Sequence, residues 1–316
     1  MTAPLRIAAI GVGHLGRHHA RILAQLPGAS LVAVVDTNAA RAAEIASSCG
    51  AAPYSDFHNI IGAVDAVTIA VPTESHVQVA LPFLERGIPA LVEKPLARSV
   101  DEADRLIDAA RRSGTILAVG HTERHNPAVQ AALPLVTNPR FIEVHRLGVF
   151  PERSLDIDVI FDLMIHDLDI VSALVKSDVT SVEAVGVPVL TPRIDIANAR
   201  LRFASGCIAN ITASRISRDR VRKIRFFQPD AYLSIDYAAR EVEAYRLAKS
   251  DGERPSIEGG KLPVRQDEPL KLELADFIDA VRNHRAPLVT GEDGRRAVGL
   301  AQKIAREIDK NLEIRT

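Results

Sequence analysis

The sequence predicts an α/β protein in two parts, a doubly wound parallel sheet followed by an α+β domain with an open, mostly antiparallel sheet. Three observations carry this. Short apolar runs without polar alternation recur through the first third, each separated from the next by a segment of helical periodicity. A glycine-rich turn, Gly11-Val12-Gly13-His14-Leu15-Gly16, joins the first such run to the first helical segment. After Gly120 the pattern changes to consecutive strand-like runs joined by short polar turns such as Ala204-Ser205-Gly206, which suits antiparallel pairing.

Taken in order, residues 6–10 read as a strand, 15–26 as a helix, 31–35 as a strand and 39–48 as a helix. The alternation continues with strands at 66–71, 90–92 and 116–119 and helices at 77–86 and 103–112. Ser99 and Glu102 form a capping-box pattern ahead of the last of these helices. Beyond Gly120 one long helix is expected over 159–174, then strands at 182–187, 194–203, 207–213, 224–227, 232–235 and 242–247. Residues 251–263, rich in Gly, Pro and charge, read as a loop, and helices at 270–283 and 292–311 close the chain. The boundary is placed near Gly120, giving domains 1–119 and 120–316, with a return of the terminal helix onto the first domain left open.

Composition limits the functional classes. The 316 residues suit two ordinary domains, and 47% hydrophobic with 25% charged residues is a globular composition. A formal charge of -1 without a block of one sign argues against a nucleic-acid partner. The basic run Arg218, Arg220, Arg222, Lys223 and Arg225 reads as a solvated strand and loop. Cys49 and Cys207 stand in neither disulfide nor metal spacing, so a reducing cytoplasm is the expected setting and no metal is expected. The apolar start leads straight into glycines and reads as a strand, not a secretion signal. No apolar stretch approaches the roughly 20 residues a membrane helix needs.

The glycine turn is the dinucleotide pattern. Gly11 permits a tight turn, Gly13 lets a pyrophosphate approach the backbone, and Gly16 permits close helix–strand packing. Free N–H groups and the dipole at the helix start then favour the phosphates. Asp36 ends the second strand, where it accepts from both ribose hydroxyls and repels a 2′-phosphate, so NAD is favoured over NADP. His14, His18 and His19 read as partly exposed helix residues with no carboxylate or cysteine to complete a metal site.

Two further motifs end buried strands of the same half: Ala70-Val71-Pro72-Thr73, followed by Glu74, Ser75 and His76, and Val92-Glu93-Lys94-Pro95. Strand ends of this kind face the ligand crevice of doubly wound sheets. In the second half, Asp162 and His166 lie four residues apart on one helix face, where a carboxylate can fix the imidazole tautomer.

The combination GVGHLG, AVPTESH, EKP and DLMIHDLD resembles the glucose–fructose oxidoreductase/inositol dehydrogenase (Gfo/Idh/MocA) family over nearly the whole chain. The resemblance implies an N-terminal Rossmann domain, a C-terminal domain whose open sheet mediates homodimers or homotetramers, and an NAD(P)-dependent oxidoreductase acting on CH–OH groups. It implies that Lys94 and His166 flank the reacting alcohol with Asp162 assisting, that the Lys94–Pro95 bond is cis, and that Val71, Pro72, Thr73, His76, Glu93 and Lys94 join the glycine turn (His14 and Leu15 included) in holding the cofactor. Residues 120–127 (GHTERHNP) and 150–159 (FPERSLDIDV) extend the resemblance to the UDP-N-acetylglucosamine 3-dehydrogenase branch. That branch oxidises a sugar-nucleotide C3 hydroxyl on the way to a diamino sugar of lipid A. Arg124, Asn126, Arg153 and His166 are the matching substrate-binding candidates, arginine suiting a diphosphate through paired charge-assisted bonds. Two alternatives remain open: a dehydrogenase for a free polyol or monosaccharide, and a non-catalytic NAD-binding regulatory protein.

Overall fold

A computed structural model describes residues 3–150, 157–248 and 256–313. Its backbone contacts separate two compact units, one of residues 1–122 and 268–298 and one of residues 123–267 and 299–316.

In the first unit, strands β1 (Leu5–Ile10), β2 (Ala29–Val35), β3 (Ala52–Tyr54), β4 (Ala66–Ile69), β5 (Ala90–Glu93) and β6 (Leu117–Gly120) form one sheet. Its order is β3-β2-β1-β4-β5-β6 and every pairing is parallel. Four of the five connections carry helices α1 (Gly16–Leu23), α2 (Ala39–Cys49), α3 (His76–Leu84) and α4 (Val100–Ser113), and β3 joins β4 through the short 3-10 turn Phe57–Ile60. The unbroken apolar runs are explained by this cover: β4, β5 and β6 are buried at every residue. The sheet order reverses between β1 and β4, and the crevice outside the strand ends at such a point is where doubly wound sheets bind ligands. Ser99 caps α4 as expected, accepting from Glu102 N at 3.2 Å, whereas the Glu102 carboxylate reaches Arg98 N and not the cap residue.

One domain assignment is corrected. Residues 268–298, placed by sequence in the second domain, belong to the first unit. The helix Pro269–Asn283 lays Leu270, Leu274, Phe277, Ile278 and Val281 into the same core as Ile7, Ala9, Leu31 and Val34. The spacing of those residues is one helical stripe, and burying each stabilises by about 1.5–3 kcal/mol, so the helix docks on the apolar surface that lacks cover.

The second unit contains β7 (Phe141–Leu147), α5 (Pro127–Ala132), α6 (Ile165–Val175) and strands β8 (Val179–Val187), β9 (Ile196–Phe203), β10 (Ile208–Ser214), β11 (Val221–Phe227), β12 (Ala231–Asp236), β13 (Glu241–Ala248) and β14 (Ser256–Lys261). Its sheet runs β14-β13-β12-β11-β7-β10-β9-β8, antiparallel throughout except where β7 pairs with β10. β14 falls inside the stretch read as a loop; its Gly259 and Gly260 have φ of 145° and 150°, an edge conformation that weakens any strand signal. The helix Pro269–Asn283 is α7, and α8 (Gly291–Glu313) belongs to the first unit up to Val298 and to the second from Gly299. Among the described residues no helix is long and apolar enough to cross a membrane.

Candidate active site

The glycine turn follows β1 directly. Gly11 has φ of 80°, and a Cβ on it would stand 2.7 Å from Val71 Cγ1 and 2.8 Å from the Ala70 carbonyl, so the turn lies against the end of β4. A Cβ at Gly16 would lie 1.7 Å from Gly11 O. At Gly13, by contrast, a Cβ would meet nothing within 4 Å. This is the open space a pyrophosphate needs, at the head of a helix whose first turn no side chain caps. The turn therefore fits a dinucleotide.

Asp36 ends β2 and accepts from Val12 N at 3.0 Å, Asn38 N at 2.9 Å and the Arg41 guanidinium at 3.0 and 2.9 Å. Burial alone would raise its carboxyl, but Arg41 and the two N–H groups outweigh that and hold it below the usual carboxylate range. Asp36 is thus a fixed anion at the end of β2, with Arg41 as a half-exposed companion that sequence reading missed.

The strand-end motifs sort into exposed and interior parts. Val71, Pro72 and Thr73 are at least partly exposed beyond β4, as is Lys94 beyond β5, and the Lys94–Pro95 bond is cis. Glu93 and His76 point inward. The Glu93 carboxylate meets His19 Nε2 at 3.0 Å and accepts from Lys94 N at 3.2 Å, and a Cβ on Gly120 would fall 2.7 Å from it. It thereby bonds the backbone at Lys94. His19, expected to be partly exposed, is fully buried, because it shares the inward face of α1 with Gly16, Ala20 and Leu23. His76 is 1% exposed and both ring nitrogens face carbonyl oxygens of the protein. Deeper still, Glu273 of α7 accepts from Thr122 Oγ1 at 3.1 Å; burial first, then the Glu93 carboxylate, push its carboxyl well above the ordinary range.

In the second unit the expected single helix divides. A π-helical turn, Ile160–Met164, carries Asp162, and α6 begins after it with His166 in its first turn; both side chains are half-buried. Widened turns of this kind cluster at functional sites because they redirect side chains. The residues flanking His166 anchor the helix. Asp167 takes a two-pronged bond from Arg146 of β7, at 2.6 and 3.0 Å, and Asp169 pairs with Arg124 at 3.2 Å. Arg146 also reaches Glu123 at 3.3 Å and lies 5.3 Å from the Tyr237 ring centre. Burial opposes its charge, and the carboxylates of Asp167 and Glu123 outweigh burial and keep it protonated.

Two substrate candidates have partners within the protein. Asn126 caps α5 by accepting from Ala128 N at 3.0 Å, and its amide nitrogen donates to Glu123 at 3.1 Å and to Tyr237 O at 3.2 Å. Arg124 is 9% exposed and held by Asp169. Arg153 lies outside the described residues. Among the described residues no cluster of three or more His, Cys, Asp or Glu is arranged to hold a metal.

Comparison with known proteins agrees with this architecture. A family model described as the oxidoreductase family with NAD-binding Rossmann fold matches residues 5–121, and the GFO/IDH/MocA C-terminal domain matches residues 145–229. The chain is 37% identical to UDP-N-acetylglucosamine 3-dehydrogenase of Acidithiobacillus ferrooxidans, across 98% of this chain and 99% of that one. A solved structure of that enzyme superposes with a TM-score of 0.91 at 36% identity, covering 98% and 99% of the two chains. The scyllo-inositol 2-dehydrogenase (NAD(+)) of Bacillus subtilis is 28% identical over 93% of this chain and 91% of its own. With both domain models matched and a relative this similar end to end, the chain belongs to the GFO/IDH/MocA family of oxidoreductases, and its first unit is an NAD-binding Rossmann fold.

Proposed function

We propose that this oxidoreductase oxidises a secondary alcohol of a sugar nucleotide, the C3 hydroxyl of UDP-N-acetylglucosamine, with NAD⁺ as acceptor. The observation that carries the substrate class is the 37% identity to a UDP-N-acetylglucosamine 3-dehydrogenase over essentially both full lengths, against 28% to an inositol dehydrogenase. His166 takes the hydroxyl proton, with Asp162 orienting its ring. Lys94 donates a hydrogen bond to the same oxygen and stabilises the alkoxide charge that develops there. Bound NAD⁺ supplies the hydride acceptor. Glu93 and His19 fix the backbone at Lys94, and Asp167 and Asp169 fix the helix that carries His166. A cytoplasmic homo-oligomer serving lipid A synthesis is the setting this reading implies.

The test is a panel of UDP-N-acetylglucosamine, UDP-glucose, free N-acetylglucosamine and myo-inositol with NAD⁺, read by NADH absorbance with the ketone identified by mass spectrometry. Turnover confined to UDP-N-acetylglucosamine supports the reading; turnover confined to free polyols overturns it. Lys94→Met and His166→Ala each lose about 10²- to 10⁴-fold in kcat while retaining NAD⁺ binding. Near-wild-type turnover in both removes the assigned roles.

A further inference from the structure

We propose that His76 is a positioning residue for Lys94: its buried ring, seated against the turn that ends β4, gives its N–H to the backbone carbonyls of Pro95 and Leu96. The proposal rests on the catalytic role given to Lys94 above. His76 Nδ1 lies 3.0 Å from Pro95 O and 3.2 Å from Leu96 O, and Nε2 lies 3.0 Å from Val71 O. All three neighbours are acceptors, so each ring nitrogen can bond only as a donor. The ring is 1% exposed, and water does not substitute for these contacts.

A neutral imidazole has one N–H to give. Burial, the largest influence, holds the ring below the ordinary histidine pKa, against the opposing pull of the three carbonyls and the Glu93 carboxylate. With one proton, the Nδ1–H tautomer meets two acceptors and the Nε2–H tautomer meets one. The favoured donor therefore points at the Pro95–Leu96 backbone.

Lys94 is then held from both sides. Glu93 accepts from its backbone N–H, and His76 grips the carbonyl of the residue that follows. A lysine side chain has a long flexible stem, so its ammonium is only as well placed as its Cα. A misplacement of about 1 Å at a reacting group costs on the order of 10²-fold in rate.

Side-chain chemistry separates this role from ordinary packing. An asparagine amide nitrogen sits near the place of Nδ1, and a glutamine amide nitrogen near that of Nε2. His76→Phe is expected to lower kcat about 10²-fold with UDP-N-acetylglucosamine and NAD⁺. His76→Asn, which keeps a donor toward Pro95 and Leu96, is expected to recover to within about tenfold of wild type. His76→Gln, which keeps only the donor toward Val71, is expected to stay near the phenylalanine level. Equal kcat in the Asn and Gln variants, or wild-type kcat in the Phe variant, overturns the proposal while Lys94→Met keeps its loss of about 10²- to 10⁴-fold.

A second readout needs no substrate. Deuterium uptake by peptides covering residues 93–98 is expected to rise in the Gln variant and to stay at the wild-type level in the Asn variant. Equal uptake in the two overturns the tie. A differential uptake together with a fully active Lys94→Met sinks the catalytic role of Lys94 and with it the reason for positioning it. Should the phenylalanine variant not fold, the Asn–Gln pair decides alone.

Discussion

Arg146 grips Asp167 with two parallel bonds, Nε to Oδ2 at 2.6 Å and Nη2 to Oδ1 at 3.0 Å, at the residue directly after His166. The aspartate is fully buried and the arginine nearly so. Removing one partner strands the other's charge away from water, which costs about 3–5 kcal/mol. Arg146→Met is expected to lose that much in urea unfolding, and kcat is expected to fall further than Tm alone accounts for, because the helix bearing His166 loses an anchor.

The proposed function gives Asp36 the choice of cofactor. Its carboxylate is held ionised by Arg41, Asn38 and Val12, and on that reading its charge would repel a 2′-phosphate. Asp36→Ser is expected to weaken NAD⁺ by about tenfold or more, roughly 1.4 kcal/mol, while NADP⁺ tightens because Arg41 is released to meet the phosphate. Fluorescence titration with both cofactors checks this. An unchanged preference would remove Asp36 from the ribose site.

Glu273 makes a pH prediction. Its folded-state pKa is raised, by burial and then by Glu93, above its unfolded value. Its contribution to stability is therefore intact below the ordinary glutamate pKa and is lost as pH rises toward the folded pKa. Glu273→Gln, which mimics the protonated acid, is expected to raise Tm more at pH 8 than at pH 5, by about 2 °C or more at the higher pH. Thermal unfolding at the two pH values decides it; an equal shift at both would mean that Glu273 ionises normally.

Phe277 tests the placement of α7. It is 1% exposed in the core that also holds Ile7, Ala9 and Val34. Phe277→Ala is expected to cost about 3–5 kcal/mol and to loosen the NAD-binding unit in particular. Faster amide exchange in β1 and β2 than in β9 and β10 would show the effect to be confined there.

Sequence legibility follows the locality of the signal. The glycine turn, the strand end at Asp36 and five of the six parallel strands were readable because a turn, a strand end and an unbroken apolar run each leave a local mark, whereas the three-residue β3 (Ala52–Tyr54) is too short to leave one. Strand β7 went unread although Phe141–Leu147 alternates half-buried and buried residues, because its central position comes from partners distant in sequence, β10 and β11. His19 looked like a surface helix residue because its partner, Glu93, lies 74 positions away. Arg124 and Asn126 carried a ligand's chemistry but meet it within the protein, at Asp169 and at Glu123 and Tyr237. The π-helical turn before α6 has no distinguishing composition; Ile160–Met164 suits an ordinary helix equally well.

The chain leaves the first unit after Thr122, re-enters it at Glu268 and leaves again after Val298. During synthesis, then, the cofactor-binding half emerges first yet lacks α7, whose apolar stripe seals one face of its sheet. That face must wait, uncovered, while the ribosome completes the other unit. A truncated chain ending near residue 122 would carry every glycine of the turn after β1 and still expose a sticky surface, so the shortest fragment able to hold NAD in solution needs the late helix restored, by fusion or as a separate peptide.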